Sequence, residues 1–209
     1  CQDLGVIVHF HSGPAPHAEY FGEGFPEKDN RGHLPGAMGI YVSEVMWWLY
    51  RPLTFMIWGG VFERFPSLKV MIVEGGTMFM LPTWLRLMDF QFNEGNISAK
   101  LGDFRSHLAM QPSGYFQRNV GIGASCVLRP DLDGRDDIGT EKIMWGSDFP
   151  HPEGSWPNTG QYFKDNFGNF PEADGRRILG GNAVDFYGLD SDKLRAVADE
   201  IGPEPSIFS

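Results

Sequence analysis

Residues 142–154, KIMWGSDFPHPEG, place an apolar run, an aspartate, two prolines and a histidine within thirteen positions. Lys142–Ser147 reads as a buried strand, short, apolar and bounded by a turn. Gly146-Ser147 lets the backbone come close to a neighbour. Asp148 stands where the strand stops, and His151 follows three residues later. An acid and an imidazole at the mouth of a core strand call for an explanation that packing does not supply.

Working outward, Val6–His11 reads as a short strand ended by Ser12-Gly13-Pro14. Residues 14–35 read as a long loop rich in proline and glycine, with His17 and His33, placed to cover the mouth of a site and set substrate choice. Solvated loop histidines are the commoner case, so these two rank low. Residues 37–61 carry helical spacing, with Pro52 expected to divide two helices because it cannot donate within one. Lys69–Val73 reads as a strand followed by Glu74 and paired glycines, 81–92 as an amphipathic helix, and 95–111 as polar connection. Residues 118–125 form a third strand candidate. Helical patterns close the chain at 159–168, 171–187 and 190–201, the last capped by Asp190 or Ser191.

Strands therefore alternate with helical segments, the order that gives parallel strands joined by crossover helices. One domain over 1–209 is expected. Four parallel strands make either a small open sheet or half of an eight-stranded barrel. The chain enters its first strand almost at once, which reads as a domain joined partway through and favours the half.

With 209 residues, 42% of them hydrophobic, the chain can bury a core. Its formal net charge of −10 argues against nucleic-acid backbones as partners. No apolar run approaches the roughly 20 residues of a membrane helix, and two cysteines imply no disulfide framework. A soluble protein of a reducing compartment, the cytoplasm, is expected. There is no G-x-S-x-G elbow, no phosphate loop of the G-x-x-x-x-G-K-[ST] type and no H-E-x-x-H. Cys126 reads as a buried thiol, since no basic residue neighbours it in sequence.

Parallel α/β folds bind ligands at the carboxyl ends of their strands. Those ends read HFHSG, EGG, GAS and GSDFPH. His9 and His11, two apart, point to one face of a strand. Each residue has a bland reading: His9 a hydrogen-bonded core residue, Glu74 a turn cap, Asp148 a loop brace, His151 a solvated side chain. Their joint placement on strand ends is less easily accidental. Imidazole and carboxylate are ligands for zinc, manganese or iron, yet His11 and Asp148 supply only two where a catalytic zinc keeps about three.

KIMWGSDFPHPEGSWPNT, GGVFERFPSLKVMIVEGG (59–76), QPSGYFQRNV (111–120) and ILGGNAVDFYGL (178–189) resemble, in order, landmarks of the amidohydrolase-related family typified by aminocarboxymuconate-semialdehyde decarboxylase. The resemblance implies a (β/α)8 barrel of which this chain holds strands five to eight. It implies one divalent metal, zinc first with manganese or iron as alternatives, a small carboxylated or ring substrate, and a homodimer. His11 matches the fifth-strand metal ligand and Asp148 the eighth-strand ligand and proton shuttle. His9 and His151 stand around the metal, orienting or polarising the substrate, and the first-strand ligands are absent. Many relatives carry His-Gly-Gly where this chain has Glu74-Gly75-Gly76. An anionic Glu74 stabilises a developing oxyanion poorly, so metal-dependent hydrolysis, with Asp148 and Glu74 as catalytic groups, ranks above decarboxylation. A half-barrel with only a structural or interaction role is the third reading. The chain alone is expected to be inactive, or active only with a partner supplying the other strands.

Overall fold

The computed structural model describes residues 1–13, 17–21, 36–75, 80–94 and 100–209. Among these, four strands form one sheet in sequence order: β1 (Val8–His11), β2 (Val70–Val73), β3 (Val120–Ser125) and β4 (Ile143–Gly146). All three pairings are parallel. The helices are α1 (His17–Phe21), α2 (Ala37–Trp58), α3 (Val61–Arg64), α4 (Met80–Glu94), α5 (Pro112–Asn119), α6 (Arg129–Asp133), α7 (Thr159–Phe167), α8 (Glu172–Arg176), α9 (Asn182–Tyr187) and α10 (Ser191–Ile201). A π-helical segment, Arg177–Gly181, joins α8 to α9, so the helical pattern read over 171–187 runs on through 172–187 with a widened turn in its middle.

Register gives the two sheet faces opposite chemistry. Val70, Ile72, Ile122 and Ile143 point to the helices and are fully buried. The other face carries the row His11, Val73, Gly123, Met144, with His9, Met71 and Gly121 one step below. Period-two alternation places both strand histidines on that face, as expected from their spacing. Packing explains the glycines: a Cβ on Gly121 would meet the ends of Met144, Phe186 and Met71 at 2.8, 3.0 and 3.1 Å.

Pro52 does not divide two helices. α2 runs unbroken over 22 residues with Pro52 inside it. A mid-helix proline costs about 3 kcal/mol. Leu49, Tyr50, Leu53 and Ile57 are buried on both sides of it, and each fully buried large side chain gains roughly 1.5–3 kcal/mol. The core therefore outweighs the lost hydrogen bond. The other departures are smaller. Residues 118–119 end α5 rather than begin β3, Lys142 lies in a 3-10 turn before β4, and Val6 precedes β1. His17 sits in helix α1 against Phe21 and Tyr41 instead of in a loop. His33 and the rest of the proposed covering loop lie outside the described residues. Asp190 caps α10 by accepting from the backbone N–H groups of Asp192 and Lys193, as the sequence suggests.

Two buried asparagines tie the strand starts to the chain that precedes or follows them. The Asn119 amide donates to the Pro66 and Leu68 carbonyls at 3.0 and 2.8 Å. That of Asn182 donates to Thr140 and Ile143, both at 2.7 Å. Each amide satisfies one buried and one part-buried backbone oxygen below the sheet. Asn182→Leu is expected to leave the buried Ile143 carbonyl and the part-buried Thr140 carbonyl without this donor and to destabilise the protein by about 1–3 kcal/mol, read as a lower urea midpoint at unchanged slope.

Candidate functional site

Parallel pairing brings all four strand ends to one edge of the sheet, and three of the four are turned by the same device. Glu74 follows β2 at φ 57°, Cys126 follows β3 at φ 49°, and Asp148 lies two residues past β4 at φ 59°. Left-handed backbone at non-glycine residues costs of order 1–3 kcal/mol and gathers at functional sites. Only a chain held by its surroundings keeps it.

At the β1–β2 end, Glu74 is held between two partners. Its Oε2 accepts the Ser12 hydroxyl, and its Oε1 lies 3.5 Å from His11 Nε2. His11 Nδ1 lies 2.6 Å from the Ser12 carbonyl, which can only accept, so Nδ1 carries the proton. A neutral His11 then turns the lone pair of Nε2 toward a carboxylate oxygen. Two electron-pair donors then face each other, 3.5 Å apart.

At the β4 end, the stretch 147–155 closes on itself. His151 N–H donates to the Asp148 carbonyl at 2.7 Å, Gly154 N–H to His151 at 3.0 Å, and Ser155 N–H to Ser147 at 3.0 Å. His151 Nδ1 is 3.4 Å from Asp148 Oδ2 and also accepts the Glu153 N–H at 3.2 Å. It cannot accept that proton and donate to Asp148 at once, so the imidazole serves the aspartate only when Nδ1 is protonated. Gly154 makes the closure possible: a Cβ there would lie 2.7 Å from the Ser147 carbonyl oxygen and 3.0 Å from those of Asp148 and His151.

Between these ends, the inner face holds a cavity of about 250 Å³ lined by His9, Val73, Gly123, Ser125, Gly146 and Tyr187, among others. Tyr187 reaches up from α9, its hydroxyl 3.4 Å from His9 Nε2. Burial pushes that phenol above its ordinary range, so it stays neutral. Burial, then the charge of Asp148, raises the Cys126 thiol. Cys126 is therefore a protonated sulfur beside the Asp148 loop, not an activated nucleophile; both cysteines are free.

The structure thus joins His11 to Glu74, and Asp148 to His151, and sets His9 against Tyr187. Among the described residues no three His, Cys, Asp or Glu side chains converge as a metal-holding group. Ser12 and Tyr187 escaped the sequence reading. Ser12 sat beside a histidine and drew no notice. Tyr187 stands 178 residues from its partner His9, with no local signal linking them.

Residues 135–189 match the model of the amidohydrolase family. The chain is 28% identical over 194 residues to 2-amino-3-carboxymuconate-6-semialdehyde decarboxylase of Dictyostelium discoideum, covering 92% of this chain and 48% of that protein. Among solved structures, 5-carboxyvanillate decarboxylase from Sphingomonas paucimobilis superposes with a TM-score of 0.61 at 24% identity, covering 90% of this chain and 51% of that one. A dihydroxybenzoic acid decarboxylase from Polaromonas sp. JS666, solved with bound manganese and the inhibitor 2-nitroresorcinol, gives 0.57 at 19%, with coverage of 90% and 51%. The chain spans about half the length of the relatives it matches. The fold is that of half a (β/α)8 barrel, as the family resemblance implied. Among the described residues no helix is long and apolar enough to cross a membrane.

Gly154→Ala is expected to force the 147–155 loop off Ser147 while leaving the sheet intact. Held open there, the loop loses the Ser155-to-Ser147 bond, and thermal stability should fall by about 1–2 kcal/mol. Thermal unfolding, with circular dichroism to show an unchanged fold, checks it.

Proposed function

We propose that this chain, a relative of the amidohydrolase family, forms part of a divalent-metal-dependent decarboxylase of small carboxylated ring or unsaturated substrates. The observation that carries the reading is the gathering of His11, Glu74 and Asp148 on one edge of a parallel sheet. The likeness to decarboxylases supports it and reverses the order in which hydrolysis and decarboxylation ranked by sequence.

The donors present fit such a metal. Imidazole and carboxylate suit manganese, zinc or iron, and the facing lone pairs of His11 and Glu74 favour a cation. His11 and Asp148 would hold it, together with ligands from outside this chain. Bound there, a divalent cation supplies positive charge that orients a substrate carboxylate and neutralises charge developing beside it.

The remaining work falls to the chain's own side chains. The net exchange replaces a carboxylate on carbon by a proton and releases carbon dioxide. Asp148, turned outward by its left-handed backbone and faced by His151, holds and moves that proton at its carboxylate oxygens. Glu74 fixes His11 while Ser12 fixes Glu74. His9 and Tyr187 close the floor of the cavity, where an uncharged phenol tolerates an apolar ring. A small organic acid is the expected substrate, and among the described residues nothing basic along the rim suits a nucleic acid.

Hydrolysis through an activated water is the second reading, favoured by one observation: a glutamate stands where many relatives have histidine. The full natural protein, supplied with manganese, zinc or iron in turn, should release carbon dioxide from hydroxybenzoates or carboxymuconate-type acids. Asp148→Asn should lower turnover by about 10²–10⁴-fold, the range of a lost proton-transfer group. Incorporation of ¹⁸O from water without carbon dioxide release would replace decarboxylation with hydrolysis. Unchanged turnover in Asp148→Asn would remove Asp148 from the chemistry.

A further inference from the structure

Glu74 has one carboxylate oxygen engaged and one aimed at a nitrogen that carries no proton. His11 pairs with Val73 across β1 and β2, so Glu74 comes directly after the strand neighbour of His11. Its Oε2 accepts the Ser12 hydroxyl, and its Oε1 stands 3.5 Å from His11 Nε2. The Nδ1 proton of His11 is already given to the Ser12 carbonyl. A glutamate that served only to brace the ring would accept an N–H from it. Glu74 meets the other nitrogen, lone pair toward lone pair.

The spacing separates two explanations. A direct charge-assisted hydrogen bond between the two side chains would close to about 2.7–2.9 Å. Two ligands each about 2.1 Å from one metal ion, set at a tetrahedral angle, stand about 3.4 Å apart. The observed 3.5 Å matches the second distance and exceeds the first. Ser12 supports both groups from behind. A metal-binding imidazole donates its other N–H to a carbonyl or carboxylate, and a metal-binding carboxylate is itself hydrogen-bonded. Here a single residue does both, its carbonyl taking Nδ1 and its hydroxyl taking Oε2.

We propose that Glu74, through Oε1, ligates the same divalent ion as His11, and that Ser12 is the positioning residue that aims both. The inference rests on the metal-dependent reading above and deepens it, adding Glu74 to the His11 and Asp148 named there. Among the described residues no third His, Cys, Asp or Glu converges on the pair. The two therefore supply one side of a coordination sphere.

Manganese titration calorimetry on the full natural protein, freed of metal with a chelator, tests it. The wild type should bind about one ion per chain. Glu74→Ala should lower the affinity at least about 100-fold, beyond the 10–100-fold typical of a group that only supports a ligand. Ser12→Ala should lower it about tenfold or more, and Ser12→Thr, which keeps the hydroxyl, should stay within about threefold of the wild type. With glutamate carboxyl carbons labelled with ¹³C, electron–nuclear double resonance of bound manganese should show a ¹³C coupling that Glu74→Ala loses at saturating metal. If Glu74→Ala fails to fold by circular dichroism, Glu74→Gln gives the same reading by affinity. Unchanged affinity in these variants, or a coupling that survives Glu74→Ala, overturns the proposal and leaves the metal-dependent reading standing. A wild type that binds neither manganese, zinc nor iron overturns both.

Discussion

Parallel pairing is the constraint on which the rest of this structure depends. Two parallel strands cannot be joined by a tight turn, so every connection crosses over with helical content. The crossovers cover one face of the sheet with α2, α4, α5 and their neighbours, which fixes where Val70, Ile72, Ile122 and Ile143 go. The same rule sends all four carboxyl ends to one edge. His11, Glu74 and Asp148, far apart in sequence, share that edge because the strands bearing them run the same way. The site is a consequence of topology before it is a matter of side chains.

Topology alone would leave those ends loosely defined, and the local backbone supplies the precision. Glu74, Cys126 and Asp148 adopt left-handed conformations that branched or bulky residues avoid. Each turns the chain sharply off its strand. The strain is offset by hydrogen bonds on either side. Cys126 N–H donates to the Gly146 carbonyl at 3.1 Å, and Ser155 closes back on Ser147. Gly154 is the close-approach point that lets the second of these form.

The fold was largely legible because strands of a covered parallel sheet are short apolar runs, and four such runs ended in polar residues. The helix breaks were less so. Pro52 signalled a boundary by its own chemistry, yet Leu49, Leu53 and Ile57 hold one helix across it, an effect of the core that local sequence does not contain. At the site, residue types and strand ends could be read from HFHSG, EGG and GSDFPH. Partnerships could not. Nothing in the sequence says that Ser12 accommodates Glu74, that Glu74 faces His11, or that Tyr187 rises beneath His9, since these depend on register and helix placement. The preference for hydrolysis rested on one glutamate for histidine exchange and gave too much weight to charge at a single position.

That glutamate gains a different meaning in its surroundings. The described partners of Glu74 and Asp148 at the rim are imidazoles and hydroxyls, with no lysine or arginine beside either carboxylate. A substrate carboxylate brought within about 4 Å of such a group meets repulsion of about 4 kcal/mol at the effective dielectric of a protein surface. On the proposed reading, the described part of the rim receives an organic acid after positive charge is bound among its donors. The carboxylates that would repel the substrate are the groups that attract the cation. On the proposed reading, charge sets the order of binding: cation first, anionic substrate second, with Glu74 beside His11 for both.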